Sequence, residues 1–146
     1  LDDTLSNSPW EVVGSDISTQ VLAKAEAGHY PLGRHEGIPP AYLSKYCLKG
    51  VRSHSGSFLI TPELKRRTRF HQVNLTLPVD TSLGEFEVIF LRNVMIYFDT
   101  ETKRKVVGNL LPRLKPGGHL IIGHSETLNG IQQGLEPVRA TIYRKP

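Results

Sequence analysis

Arg92, Asn93 and Tyr97 follow directly on the apolar run Phe86-Glu-Val-Ile-Phe-Leu91. A guanidinium, an amide and a phenol at the end of a buried-type strand form a donor-rich loop, suited to receiving a carboxylate or the polar end of a ligand. Residue types alone leave other uses open: Arg92 can pair with a local acid, Asn93 can cap a turn, and Tyr97 can be a half-buried core aromatic. Asp16 is the second candidate, because it closes another short run, Trp10-Glu-Val-Val-Gly-Ser-Asp16. A carboxylate at a strand's end can accept hydrogen bonds from both hydroxyls of a ribose, and it can equally be the N-cap of the next helix. His124, Ser125 and Glu126 are neighbours on one strand end and cannot converge as base, nucleophile and orienting acid, so they are expected to serve a loop. His29, His35, His54, His71 and His119 lack metal-ligand spacing, and no metal site is expected.

These groups need elements to hold them. Residues 86–91 and the run His119-Leu-Ile-Ile-Gly123 read as parallel strands joined by a crossover helix, with Pro116-Gly117-Gly118 before the second strand. Ligands in open α/β sheets sit beyond the carboxyl ends of such strands. Asp99 is placed to cap the crossover helix, and Val107, Leu110, Leu111 and Leu114 recur at helical spacing as its buried stripe. Pro112 predicts a kink or a tightened last turn. After Asp16, residues 17–27 read as a helix ended by Gly28, residues 31–40 as a Pro- and Gly-rich loop, and residues 40–47 as a short helix with Tyr42, Leu43 and Tyr46 on one face. Residues 58–61 and 64–69 look like the arms of a hairpin, residues 70–74 re-enter the main sheet, and residues 138–144 read as one closing antiparallel strand.

The chain has 146 residues, 38% of them hydrophobic, enough for one α/β domain, residues 1–146. No apolar stretch approaches the ~20 residues of a membrane span, which argues against direct membrane insertion and for a soluble protein, and the lone cysteine makes cytoplasm the natural reading. The single cysteine, Cys47, excludes an internal disulfide and reads as a small apolar residue on a helix face. Charge is concentrated: residues 49–71 hold six Lys or Arg against one acid, Glu63, while the rest of the chain carries 12 basic and 13 acidic residues. Lys65, Arg66, Arg67 and Arg69 therefore form a candidate docking patch for an acidic partner; the alternative is an exposed hairpin that they merely solvate. No aromatics alternate with these cations, and no nucleic-acid partner is expected.

Taken together, Gly14-Ser-Asp-Ile-Ser18, Val73-Asn-Leu75, residues 86–98 and Gly123-His-Ser-Glu126 resemble the chemotaxis receptor methyltransferases, the CheR family, in order and in spacing. The resemblance implies a class I methyltransferase sheet, Rossmann-like, with a small inserted antiparallel β-subdomain at about residues 49–71. It implies S-adenosylmethionine as cofactor, S-adenosylhomocysteine as product, and O-methylation of glutamate side chains on the cytoplasmic region of a membrane chemoreceptor. By the same resemblance Asp16 is the ribose ligand, Ile17 an adenine neighbour, and Asn74 and Leu75 the loop bordering the adenine; Arg92, Asn93 and Tyr97 surround the methionine part and the transfer site, with Arg92 and Tyr97 catalytic. The glycine-rich turn that precedes the acidic residue in the family is absent, as are the first strand and the N-terminal helical domain, and the only Met is Met95. A fragment is therefore expected, with its central slot filled by another chain, by residues outside the sequence or by rearranged strands. A second functional reading is a non-catalytic receptor-docking or regulatory module.

Overall fold

A computed structural model describes residues 8–131 and 134–146. The chain divides into two compact units, before and after the Val73–Asn74 bond.

The first unit begins with β1 (Val12–Asp16), then α1 (Thr19–Ala27) and β2 (His29–Pro31). Next come α2 (Pro40–Tyr46), β3 (Cys47–Lys49), β4 (Ser57–Ile60), the single turn α3 (Pro62–Lys65) and β5 (Thr68–Gln72). β1 and β5 pair in parallel, with Asp16 opposite Gln72. β2, β4 and β3 form a separate antiparallel sheet with β4 in the middle. This small sheet thus starts at His29, about twenty residues earlier than the basic segment from position 49. The expected loop at 31–40 gives up Pro31 to a strand and makes a 3-10 turn at Leu32–His35. The expected hairpin over 58–69 is not formed: Pro62 starts α3 and Thr68–Gln72 joins β1 instead. Proline at the first helical position has a missing N–H that the helix does not need, which favours this turn. Cys47 is the first residue of β3, not a helix residue, and partial burial raises its thiol pKa.

Helix α1 is bounded by local chemistry. Ser18 Oγ accepts from Val21 N–H at 3.4 Å, so Ser18 is the N-cap that Asp16 had been a candidate for. Gly28 ends the helix at φ 62°, its N–H donating to the Lys24 carbonyl. The left-handed region disfavours any residue with a Cβ by about 1–2 kcal/mol, so Gly28→Ala is expected to lower the melting temperature by several degrees. Thermal unfolding followed by circular dichroism measures this; an unchanged midpoint would refute the strain argument.

The second unit holds β6 (Phe86–Leu91), α4 (Thr100–Leu110), β7 (Leu114–Ile122), β8 (Glu136–Arg139) and β9 (Ile142–Arg144). The sheet order is β6-β7-β9-β8. The crossover reading holds, since β6 and β7 are parallel. The closing segment is two strands rather than one: β8 and β9 form a hairpin around Thr141 at φ 66°, and β9 runs antiparallel to β7. Pro116, Gly117 and Gly118 lie inside β7 instead of ahead of it. Helix α4 is capped by Asp99, whose Oδ1 accepts from Thr102 N–H at 2.7 Å, and this bond holds the Asp99 pKa below the usual carboxylate range. As Pro112 predicts, α4 stops at Leu110 and tightens into a 3-10 turn, Leu111–Arg113. The buried cluster contains Val106, Val107 and Leu110 from α4, with Leu91, Leu114, Leu120, Ile122 and Tyr143 from the sheet.

Each parallel pair ends in an open edge. Among the described residues β1 is hydrogen-bonded only to β5, and β6 only to β7.

Candidate functional site

In the first unit, Asp16 ends β1. Its Oδ1 accepts from Ser18 N–H at 2.8 Å, and its carbonyl accepts from Val73 N–H at 3.0 Å. Those bonds fix the strand-to-helix turn while Oδ2 has no protein partner among the described residues. Ile17 follows at 63% exposed, with its carbonyl held by Gln72 Nε2 at 2.9 Å. An apolar side chain held in the open beside a half-free carboxylate can take a ring on one side and hydroxyl donors on the other.

The expected basic patch resolves differently. Lys65 Nζ donates to the Ala27 carbonyl at 3.0 Å, supporting the end of α1. Arg67 lies 4.7 Å above the Trp10 ring, and Arg69 makes a two-pronged bond to Glu11. The Arg69 guanidinium holds the Glu11 carboxyl below its ordinary pKa. Three of the four cations therefore have intramolecular work, and Arg66 alone of the four is exposed without a side-chain partner among the described residues. Sequence could not show this, because the partners of Lys65 and Arg69 lie 38 and 58 residues away.

In the second unit, Asn74 Oδ1 accepts from both the N–H and the hydroxyl of Thr76, at 3.0 and 2.8 Å. The Leu75 carbonyl accepts from Asn109 Nδ2 of α4 at 2.9 Å, and the Leu75 side chain packs on the core. The 74–77 loop is thus tied down, leaving the Asn74 amide nitrogen as an outward donor. Arg92, Asn93 and Tyr97 lie together on the segment that leaves β6. Arg92 is exposed and its guanidinium has no partner among the described residues. Asn93 takes φ 60°, a left-handed conformation that Asn tolerates better than most side chains. Met95 is fully buried, and the 3-10 turn Met95–Tyr97 presents Tyr97 at 81% exposed.

Glu126 is the residue whose importance its sequence position did not reveal. Its Oε2 accepts from Gly123 N–H at 2.6 Å and Asn93 N–H at 3.1 Å, and its Oε1 accepts from Met95 N–H at 2.8 Å. The loop role expected for this segment thus has a specific form. A carboxylate accepting several backbone N–H bonds is the strong, charge-assisted kind of hydrogen bonding.

These groups suit S-adenosylmethionine on chemical grounds, unit by unit: Asp16 Oδ2 for hydroxyl donors, Ile17 for a ring face, Asn74 for a ring acceptor, and the polar Arg92–Tyr97 loop for an amino-acid end. No group of three or more His, Cys, Asp or Glu among the described residues could hold a metal ion, and no helix there is long and apolar enough to cross a membrane.

Comparison with known proteins gives the same direction. A family model described as CheR methyltransferase, SAM binding domain, matches residues 2–144. The chemotaxis protein methyltransferase of Escherichia coli (strain K12) is 37% identical over 145 residues, covering 98% of this chain and 51% of that protein. Chemotaxis protein methyltransferase 2 of Pseudomonas aeruginosa is 38% identical over 136 residues, covering 92% of this chain and 48% of that protein. The chain therefore spans about half the length of the curated relatives it matches. Among solved structures, the N-methyltransferase NodS from Bradyrhizobium japonicum WM9 aligns over 93% of this chain and 74% of its own, with a TM-score of 0.53 at 14% identity, which shows the methyltransferase-like α/β fold. With its motifs, its fold and a family match from residue 2 to residue 144, this chain belongs to the CheR methyltransferase family as a SAM-binding domain, and S-adenosylmethionine is its cofactor.

Proposed function

We propose that the protein carrying this domain methylates glutamate side chains on the cytoplasmic region of a membrane chemoreceptor, and works in the cytoplasm. The observation that carries the reading is the exposed Arg92 and Tyr97, held by a buried Met95 and a clamped Asn93 at the carboxyl end of parallel strand β6. When bound, the cofactor supplies an electrophilic methyl group. A glutamate acceptor, with an ordinary pKa of about 4.3, is already ionised near neutrality, so the site needs no general base. What it must provide is alignment to within ~3–3.5 Å and a cationic, hydrogen-bonding seat for the carboxylate. Arg92 offers the charge, Tyr97 a phenol donor, and Asn93 an amide beside them. Asp16, Ile17, Asn74 and Leu75 bind and orient the nucleoside end. A strand from another chain pairs with an open sheet edge. A docking role draws its support from Arg66, now that Lys65, Arg67 and Arg69 have partners inside the first unit.

The test uses the protein as expressed from its gene, a methyl-labelled donor and a chemoreceptor cytoplasmic fragment. Label is expected in the receptor as a methyl ester, released as volatile methanol by base, and absent when the receptor's glutamates are replaced. Arg92→Ala should lower kcat/KM by about 10- to 100-fold, the loss of one charge-assisted hydrogen bond. Base-stable label, or none at all from protein that binds the donor, would overturn the proposal.

A further inference from the structure

We infer that Glu126 is a positioning residue of the transfer site: its carboxylate gathers backbone N–H groups from two strand ends and so sets the aim of Arg92 and Tyr97. The inference rests on the reading of the 92–97 loop as the rim where cofactor and acceptor meet.

Gly123 immediately follows β7, while Asn93 and Met95 follow β6. One side chain therefore ties the carboxyl ends of two adjacent parallel strands, through Oε2 to Gly123 and Asn93 and through Oε1 to Met95. The reach is set by a tight turn, in which Glu126 N–H donates to the Gly123 carbonyl at 3.0 Å and brings the carboxylate back over the strand end. The loop's own backbone bond, from Phe98 N–H to the Met95 carbonyl at 3.1 Å, closes only its far end. Asn93 sits at positive φ, and two residues later Met95 must be fully buried while Arg92 and Tyr97 stay in the open. Anchoring the N–H groups of residues 93 and 95 fixes both sides of that reversal.

The clamp also explains Gly123. A Cβ there would lie 2.5 Å from Glu126 Oε2, 3.0 Å from Asn93 Oδ1 and 3.2 Å from Asn93 N. Any side chain at 123 displaces the carboxylate, the Asn93 backbone, or both. Charge matters as much as shape, because all three partners are donors. A glutamine can accept from two of them with its carbonyl oxygen, but its NH₂ then meets the third N–H, donor against donor.

Glu126→Gln, made in the protein as expressed from its gene, is expected to cut kcat for receptor methylation by about 10- to 100-fold, since misplacement by about 1 Å costs that much. The KM for receptor should change by less than about 3-fold, because uniform binding is not what is lost. Gly123→Ala should reproduce the effect, and the double variant should be no slower than the worse single one, because both remove the same clamp. Two readouts stand apart from turnover: in amide NMR spectra the protons of Gly123, Asn93 and Met95 should move upfield in Glu126→Gln, and the melting temperature should stay within a few degrees of the parent. Full turnover in Glu126→Gln by protein that binds S-adenosylhomocysteine overturns the positioning role alone, as do multiplicative effects in the double variant. A Glu126→Gln protein unfolded at the assay temperature makes the residue structural and also overturns it. Parent protein that binds no S-adenosylhomocysteine overturns the reading of the rim itself, and the amide shifts then still report whether the clamp exists.

Discussion

Asp16→Ala weakens binding of S-adenosylhomocysteine by about 10- to 100-fold, the expected loss of a charge-assisted hydrogen-bonding carboxylate. The structure allows a sharper version, because the two oxygens of Asp16 have different employment. Oδ1 is bonded to Ser18 N–H and starts the turn into α1, while Oδ2 has no protein partner among the described residues. Asparagine in place of Asp16 keeps an oxygen for Ser18 but puts an uncharged NH₂ where Oδ2 stood. Asp16→Asn should therefore retain the melting temperature of the parent and lose affinity, whereas Asp16→Ala loses affinity together with some helix stability. Isothermal titration of the expressed protein with S-adenosylhomocysteine decides the matter. Parent-like affinity in both variants would remove Asp16 from the cofactor site and leave it only its structural bond.

Leu120→Ala is expected to destabilise the second unit by about 2–5 kcal/mol, the usual range for truncating a buried leucine when its surroundings cannot collapse into the space. Leu120 is 1% exposed and sits on β7 opposite Ile89 of β6 and Tyr143 of β9, so both neighbouring strands lose packing at once. Against a typical total stability of about 5–15 kcal/mol, this is a large fraction. Val138→Ala, on the edge strand β8 at 55% exposed, provides the comparison and should stay within about 0.5 kcal/mol. Urea titration of both variants measures the contrast. Equal midpoints would mean that the buried cluster around β7 does not hold this unit together.

The parts of the fold legible in the sequence are those written locally. The apolar run 86–91, Asp99 and the stripe Val107, Leu110, Leu111 and Leu114 announced a strand, a capped helix and a parallel return, although Leu111 lies in the 3-10 turn and Leu114 begins β7, and Pro112 announced the tightened turn. Gly28 marked the end of α1 because the left-handed cap leaves few alternatives. Illegible were choices settled by distant partners. Whether residues 68–72 close a hairpin on β4 or lie parallel to β1 is decided by pairing with residues 12–16. β2 is three residues long, too short to show a period, and exists because β4 supplies its bonds. The site divides in the same way. Residue types and family likeness pointed to Arg92, Asn93 and Tyr97, yet their support comes from a carboxylate 31 to 33 residues further on. That support acts on backbone N–H groups, which every non-proline residue possesses, so the letters at 93 and 95 carry no sign of it.

The position of β9 in the second sheet has a consequence for biosynthesis. Ile142–Arg144 lies between β7 and β8 in space, although it is the last of these strands in sequence. A ribosome adding about 5–20 residues per second delivers β6, α4 and β7 well before the strand that must slot in beside them. Until Arg144 has cleared the exit tunnel, β7 lacks its antiparallel neighbour and β8 has nothing to pair with. Nascent chains of this domain thus pass through a stage with a half-built sheet, a natural point of engagement for chaperones that recognise unpaired strands.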